Sequence, residues 1–312
     1  MKNRFLVTGG AGFIGSHITE ALVKKGRDVK VLDNFSSGRE ENLSAVIDKV
    51  TLIKGDIRSK DTCLKVTRGI DFVLHQAALR SVPKSFIYTG DYNDVNIQGT
   101  LNLLEASVKN KVKVFVFASS SSVYGEVKVF PEREDSPPSP ISPYALTKLV
   151  GEYYCRIFSH SFGLPTISLR YFNVFGPRQA LDDEYAIVIP KFITCLLKNE
   201  PVPIYGTGRQ SRDFTYVQNV VTANILAAER HNGKGETFNI ASGKDYSILE
   251  LLKTLNKLMQ KDIKPHFLDR RPGDVFRTLA DLSRSKKLLG FEPKIDFIKG
   301  LKSTVEYFRE NA

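Results

Sequence analysis

Thr8-Gly9-Gly10-Ala11-Gly12-Phe13-Ile14-Gly15 is the stretch that decides the fold. It follows a short apolar run, Arg4-Phe5-Leu6-Val7, and opens an amphipathic segment over residues 13–25. Glycines at 9, 12 and 15 let the turn tighten. They leave backbone N–H groups and a helix N-terminus open to a pyrophosphate. A glycine turn alone is only a turn. Here the next apolar run closes on Asp33, where a carboxylate accepts from the adenosine ribose hydroxyls and repels a 2′-phosphate. Turn and carboxylate together read as a dinucleotide site that favours NAD over NADP.

Outward from that turn, short apolar runs at 29–32, 51–53, 72–75, 114–117 and 167–169 alternate with helical stretches such as 96–108. The rhythm predicts an α/β protein, a Rossmann-type doubly wound parallel sheet with helices on both faces. After Tyr171 the pattern loosens. A helix is expected at 187–197 and a strand at 202–205. A helix at 217–229 followed by a strand at 237–240 would rejoin the main sheet, and tail helices are expected at 248–259, 283–289 and 296–309. The expected organisation is a dinucleotide-binding domain over 1–170, rejoined by 214–242, with a smaller α/β lobe from 171–213 and 243–312. Ligand should sit in the crevice between them, beyond the carboxyl ends of the strands.

Bulk properties narrow the class. The chain has 312 residues, enough for one large core or a main domain with a smaller one, and its 42% hydrophobic content argues against disorder. No apolar run approaches the roughly 20 residues that span a bilayer. The first strand starts at Arg4, which leaves no room for a signal peptide and points to the cytoplasm. Cys63, Cys155 and Cys195 are odd in number and far apart, so they read as reduced, buried thiols, with no disulfide framework and no metal site. The net charge of +11 raises nucleic acid as a partner. The lysines are scattered, acids are interleaved and no basic tail is present. A solvated surface that attracts anionic nucleotides is the better account, with neither nucleic acid nor membrane as partner.

The chemistry lies near the middle. Tyr144 and Lys148 stand four residues apart and share a helix face, shortly after the serine run Ser119 to Ser122. A free tyrosine ionises near pH 10. An ammonium beside it and a nicotinamide ring would both favour the phenolate, which makes Tyr144 a general base. A hydroxyl from Ser120 can bond both the phenol and a sugar oxygen. Asp56-Ile57 and Ala77-Ala78 follow the third and fourth strands, where adenine and the pyrophosphate would lie, although Asp56 alone also reads as a loop cap.

These motifs keep their order over nearly the whole chain: TGGAGFIG, Asp33, His75-Gln76-Ala77-Ala78, SSSSVYG, SPYALTK, Leu169-Arg170-Tyr171-Phe172-Asn173-Val174, Gly176, Arg212-Asp213-Phe214 and Arg271-Pro272-Gly273-Asp274. In this the sequence resembles the extended short-chain dehydrogenases/reductases, and among them the UDP-sugar 4-epimerases. The resemblance implies Ser120, Tyr144 and Lys148 as catalytic residues. It implies NAD held by Gly9, Gly12, Phe13, Ile14, Gly15, Asp33, Asn34, Asp56, Ile57, Ala77 and Ala78. Asn96, Tyr144, Lys148 and Phe172 would border the nicotinamide. The UDP-sugar would meet Ser120, Tyr144, Asn173, Val188, Tyr205, Arg212, Arg271, Asp274 and Thr278, with the two arginines on the diphosphate and Asp274 on the uridine ribose. A homodimer joined through 96–108 and 144–162 is also implied.

The reaction implied is transient oxidation at C4. The tyrosine takes the hydroxyl proton, NAD takes and returns a hydride, and the 4-keto sugar turns over in between. Relatives that eliminate or decarboxylate add acids just after the catalytic hydroxyl; here Ser121 and Ser122 follow it. The closest likeness is to epimerases of UDP-N-acetylglucosamine and UDP-N-acetylgalactosamine. Thr278, where strict glucose/galactose enzymes carry a tyrosine, leaves room for an acetamido group and also admits UDP-glucose and UDP-galactose. Arg80 departs from the pattern, standing where a small residue is usual. It narrows the pocket, binds a uronate carboxylate as in a UDP-glucuronate or UDP-N-acetylglucosaminuronate 4-epimerase, or points outward.

Overall fold

The computed structural model describes residues 3–180, 188–229, 233–270 and 275–311. Strands β1 (Arg4–Thr8), β2 (Asp28–Asp33), β3 (Thr51–Lys54), β4 (Phe72–His75), β5 (Val114–Ser120) and β6 (Thr166–Tyr171) form the expected sheet. Short strands β7 (Val174–Phe175), β8 (Val202–Tyr205), β9 (Ser211–Asp213) and β10 (Thr215–Tyr216) follow. Next come β11 (Lys234–Ile240), β12 (Asp245–Ser247) and β13 (Pro265–Leu268). The main sheet has seven strands in the order β11-β6-β5-β4-β1-β2-β3, and every pair is parallel. The strand order reverses between β1 and β4, so their carboxyl ends open a crevice, the place where such sheets bind ligands.

Alternation along the buried strands explains the two covered faces. Phe5, Val7, Val29, Val31, Leu74 and Val116 pack with Ile18 and Leu22 of α1 (Phe13–Lys24) and with Val220 and Ala227 of a later helix. Leu6, Leu32, Val73, Phe115 and Phe117 point the other way. They pack on α2 (Lys60–Thr67), α5 (Gly99–Lys109) and α6 (Pro143–Phe162), with two short helices, α3 (Val82–Ile87) and α4 (Thr89–Tyr92), between α2 and α5. β11 pairs with β6 and so returns the chain to this sheet. A separate core joins α7 (Val188–Lys198), the first residues of α8 (Val217–Glu229), α9 (Ile248–Met259) and α10 (Phe297–Glu310) through Phe192, Phe214, Leu251, Leu255, Phe297 and Phe308.

Two expectations shift. The helix expected at 283–289 is a wider π turn over Ser285–Leu289, and the one expected at 96–108 begins at Gly99 after a π turn over Asn93–Gln98. All three cysteines are buried and unpaired. No helix among the described residues is long and apolar enough to cross a membrane.

Candidate functional site

The glycine turn is built as its chemistry requires. Gly9 sits at φ +64°, and a Cβ there would lie 2.8 Å from the Ala77 backbone. A Cβ on Gly15 would overlap the Gly9 carbonyl. Gly12 caps α1 without any side-chain bond, which leaves the first-turn N–H groups for an anion. Phe13 and Ile14 begin that helix. Asp33, buried at the end of β2, accepts from Ala11 N at 2.9 Å and Phe35 N at 2.9 Å. Each carboxylate oxygen therefore keeps a lone pair for a ribose hydroxyl. The residues fit NAD.

Around them the structure adds supports that the motifs alone do not show. His75 bridges Thr8 Oγ1 at 2.7 Å and Thr100 Oγ1 at 2.9 Å, and Thr100 donates to Asn96 O at 2.6 Å. Burial lowers the His75 pKa to about 3, so its imidazole is neutral and serves as a brace. Asn34 Nδ2 donates to Asp56, whose carboxylate also takes a two-pronged grip from Arg58. That grip, the largest influence, holds the Asp56 carboxyl well below its ordinary range. Ile57 is buried against Gly99. Ala77 N donates to Thr8 Oγ1, and Ala78 follows it, half-buried, at the same strand end.

The three proposed catalytic residues converge at the end of β5. Ser120 is its last residue. Its hydroxyl lies 2.9 Å from Ser122 Oγ and accepts from Ser122 N. Ser142 caps α6 by accepting from Ala145 N, and Pro143 fits the first turn, where its missing N–H costs nothing. Tyr144 therefore stands in the opening turn, where the Ser120 side chain acts on its phenol. One turn on, Lys148 is buried, and its Nζ donates to Ala118 O at 2.8 Å, 5.1 Å from the Phe117 ring centre and 5.9 Å from that of Tyr144.

Burial and neighbouring groups act on both side chains. Burial is the largest influence on the Tyr144 phenol and raises its pKa, while the Ser120 hydrogen bond and the charge of Arg80 act the other way. Lys148 makes a contact of its own. Its ammonium is spent on a backbone carbonyl, and burial lowers its own pKa to about 8.

Asn96 and Phe172, expected beside the nicotinamide, are both buried. Asn96 is 2% exposed and spends its amide on Leu79 N, Leu79 O and Thr147 Oγ1. Phe172 is wholly buried against Tyr124, Leu149 and Ala241.

On the far side of the crevice Asn173, exposed and at φ +28°, accepts from Thr278 Oγ1 at 3.0 Å through its Oδ1. The buried Thr278 hydroxyl in turn accepts from Asp213 N. Arg212 is buried and donates to the carbonyls of Ser211, Val275 and Phe276. Val188 begins α7 and Tyr205 ends β8, both half-buried. Arg271 and Asp274 lie outside the described residues. Sequence reasoning gave no role to Asp213. Its carboxylate ties Ser242 N, Ser242 Oγ, Gly243 N and Ala280 N together, and the signal was its place in Arg212-Asp213-Phe214.

Residues 5–241 match the model of the NAD dependent epimerase/dehydratase family. The chain belongs to this family. It is 36% identical over 313 residues to the UDP-glucose 4-epimerase of Mycolicibacterium smegmatis, with 99% of each chain covered. Among solved structures it is similar to the UDP-N-acetylglucosamine 4-epimerase of Methanobrevibacter ruminantium in complex with UDP-N-acetylmuramic acid (43% identity, TM-score 0.95, 100% of both chains). It is also similar to the UDP-glucose 4-epimerase of Thermus thermophilus in complex with NAD (37% identity, TM-score 0.91, 99% of this chain and 100% of that one). The family's cofactor, NAD, is the one the glycine turn and Asp33 fit.

Proposed function

We propose that this chain is an NAD-dependent UDP-hexose 4-epimerase that interconverts UDP-GlcNAc with UDP-GalNAc and also UDP-glucose with UDP-galactose, through a 4-keto sugar. The observation that carries this reading is the convergence of Ser120, Tyr144 and Lys148 at the carboxyl end of β5, where Ser120 acts on the Tyr144 phenol and Lys148 donates to Ala118 O, with Ser121 and Ser122 following Ser120. A lone base fits a reaction that removes one hydroxyl proton and later returns it. Elimination needs a second acid, and Ser121 and Ser122 are none.

NAD, when bound, supplies a reversible two-electron oxidation of the sugar carbon. Gly9, Gly12, Gly15 and Asp33 would hold it. Tyr144 Oη takes the proton from the sugar 4-hydroxyl and gives it back, Ser120 orients that hydroxyl, and Lys148 fixes α6 to the end of β5. Asn173, Tyr205, Arg212, Arg271, Asp274 and Thr278 are proposed to hold the UDP-sugar, with Val188 beside them. The two-lobe division, 1–170 with 214–242 against 171–213 with 243–312, belongs to the same proposal.

The N-acetyl sugars are supported by the small Thr278. The second reading, a UDP-hexuronate, has Arg80 in its favour, because this exposed cation stands close enough to act on Tyr144. A dimer through α5 and α6 is supported by an exposed stripe on α6, Leu146, Tyr153 and Ile157, and sedimentation of the purified protein tests it. Incubation with UDP-GlcNAc, UDP-glucose and UDP-glucuronate, with products resolved by NMR, tests the activity. Turnover of the first two without added NAD is expected, and denatured protein should release NAD. Turnover of the uronate alone, or stoichiometric consumption of added NAD, would overturn the reading.

A further inference from the structure

The substrate side of the crevice is fastened to the helix that receives the cofactor. Asn173 leads directly into β7, which pairs with β10 through Val174 with Thr215 and Phe175 with Tyr216. Both strands of this ribbon then run onto α1, with Pro177 and Arg178 just past β7 and Gln218 just past β10. His17 of α1 is buried between them, its Nε2 2.9 Å from Pro177 O and its Nδ1 3.3 Å from Gln218 Nε2. A carbonyl only accepts, so Nε2 carries the proton and Nδ1 takes the Gln218 amide. Burial lowers the His17 pKa to about 4, which keeps the ring neutral in that role.

One residue further on, Arg178 reaches the same helix with a charge. Its guanidinium donates to Glu20 Oε2 at 2.6 Å and to Ser16 Oγ at 3.5 Å, and Ser16 Oγ donates to Phe13 O at 3.1 Å. The Arg178 and Glu20 side chains are 19% and 18% exposed, so solvent screens this pair less than it screens a surface pair. Arg178 also stands at φ +65°, a left-handed conformation that costs an arginine free energy and needs something to hold it. Before it, a Cβ on Gly176 would lie 2.6 Å from Val217 Cγ1. The backbone is thus pressed against the start of α8 and drawn onto α1. Gly12, where the NAD pyrophosphate would sit, caps this same helix.

We propose that Arg178 is a positioning residue for the UDP-sugar, locking β7 and Asn173 onto the cofactor helix through Glu20 and Ser16. The assignment rests on the reading of Asn173 as a substrate contact. It gives the two reactants a common reference, because one helix then fixes both the cofactor and the strand that grips the nucleotide. Hydride transfer needs its atoms held close, yet the keto sugar must turn over between two faces. The anchor therefore belongs at the nucleotide end.

The test measures kcat and KM for UDP-GlcNAc, bound NAD, and the Kd of UDP by calorimetry, each variant carrying its own NAD. Arg178→Met and Glu20→Met are expected to raise KM and the Kd of UDP together, about three- to tenfold, with kcat and bound NAD near wild type. Arg178→Lys should recover most of the loss. The double variant should lose little more than either single one, because both break the same bond. Glu20→Met leaves the Arg178 backbone untouched, so it reads the bond even where Arg178→Met folds poorly. Arg27→Met is the control for general loosening. It breaks the 3.2 Å pair with Glu229 just beyond the opposite end of α1 and should leave both constants unchanged.

Unchanged UDP affinity in both Arg178→Met and Glu20→Met, a rise as large in Arg27→Met, or loss of NAD with UDP binding intact would overturn the proposal. If no UDP-sugar turns over while UDP binding still weakens in Arg178→Met and recovers in Arg178→Lys, the proposed function fails and the assignment of Arg178 stands.

Discussion

The two walls of the crevice are built by different means. Ser120, Tyr144 and Lys148 stand on a seven-residue strand, every residue of which is buried, and on a 20-residue helix. Backbone ladders set their positions. Opposite them, β9, β10 and β12 are two or three residues long. Side chains do the joining there: Asp213 gathers four donors, Arg212 holds three carbonyls, and Thr278 links Asn173 to Asp213. Backbone bonds do not depend on which residue supplies them, whereas side-chain bonds do. The sheet wall should therefore keep its shape under most single changes, and the lobe wall should feel both substitution and pH.

The largest effect should come from the rigid wall, through chemistry and not shape. Tyr144→Phe keeps the ring and its edge contact with Tyr92 while removing the ionisable oxygen. Epimerase turnover should fall about 10²- to 10⁴-fold, while the denatured variant should still release NAD. Near-wild-type turnover would show that another group moves the proton.

Next comes a buried charged joint inside that wall. Glu152 of α6 grips Arg170 of β6 through two bonds of 2.9 and 2.7 Å and accepts the Ser119 hydroxyl, and both side chains are 5% exposed. Glu152→Ala leaves a buried guanidinium without its anion, a change that costs about 3–5 kcal/mol. Thermal or urea unfolding should show a loss of that size. A loss below about 1 kcal/mol would mean that the helix does not depend on this joint.

The sheet wall was also the legible one. Gly9 to Gly15 and Asp33 lie in contiguous motifs, and β1 to β6 are long enough to show their apolar runs. What escaped was set by distance along the chain. Thr8 meets His75 across 67 residues, and Asn96 meets Thr147 across 51. Nothing local in the sequence announces such pairs. The partner of Lys148 escaped for the same reason, since i,i+4 spacing places its side chain on the right face but does not reveal that Ala118 O takes its ammonium. On the lobe wall, strands of two or three residues are too short for any period to show, and Asp213 matters only through donors 29 to 67 residues away.

The third effect tests the lobe wall by volume. Thr278→Tyr should lower kcat/KM for UDP-GlcNAc about tenfold or more relative to UDP-glucose, because the ring would overlap an acetamido group and leave a 2-hydroxyl free. The same change breaks the bond to Asn173, so both sugars should lose some rate, and only the ratio is diagnostic. Thr278→Val supplies the control, since it deletes the hydroxyl at constant size and should lower both sugars alike. An unchanged ratio in Thr278→Tyr would move the gate elsewhere.

The smallest effect tests the wall's sensitivity to pH. Glu132 is buried beside Asp213, its N–H donating to Leu279 O and its carbonyl accepting from Asp281 N, and its Oε2 has no partner among the described residues. Burial first, and then the Asp213 charge, push its pKa up from the ordinary 4.5 to about 8. A carboxyl raised by folding favours the native state while it is protonated. That contribution is complete below the unfolded value and is lost as pH rises toward 8. Glu132→Gln keeps the shape and cannot ionise, so its melting temperature should equal wild type at pH 5 and exceed it by a few degrees at pH 9. A Glu132→Gln gain that is flat across the range would mean the carboxylate is already paired when charged, and the contrast between the two walls would then rest on volume alone.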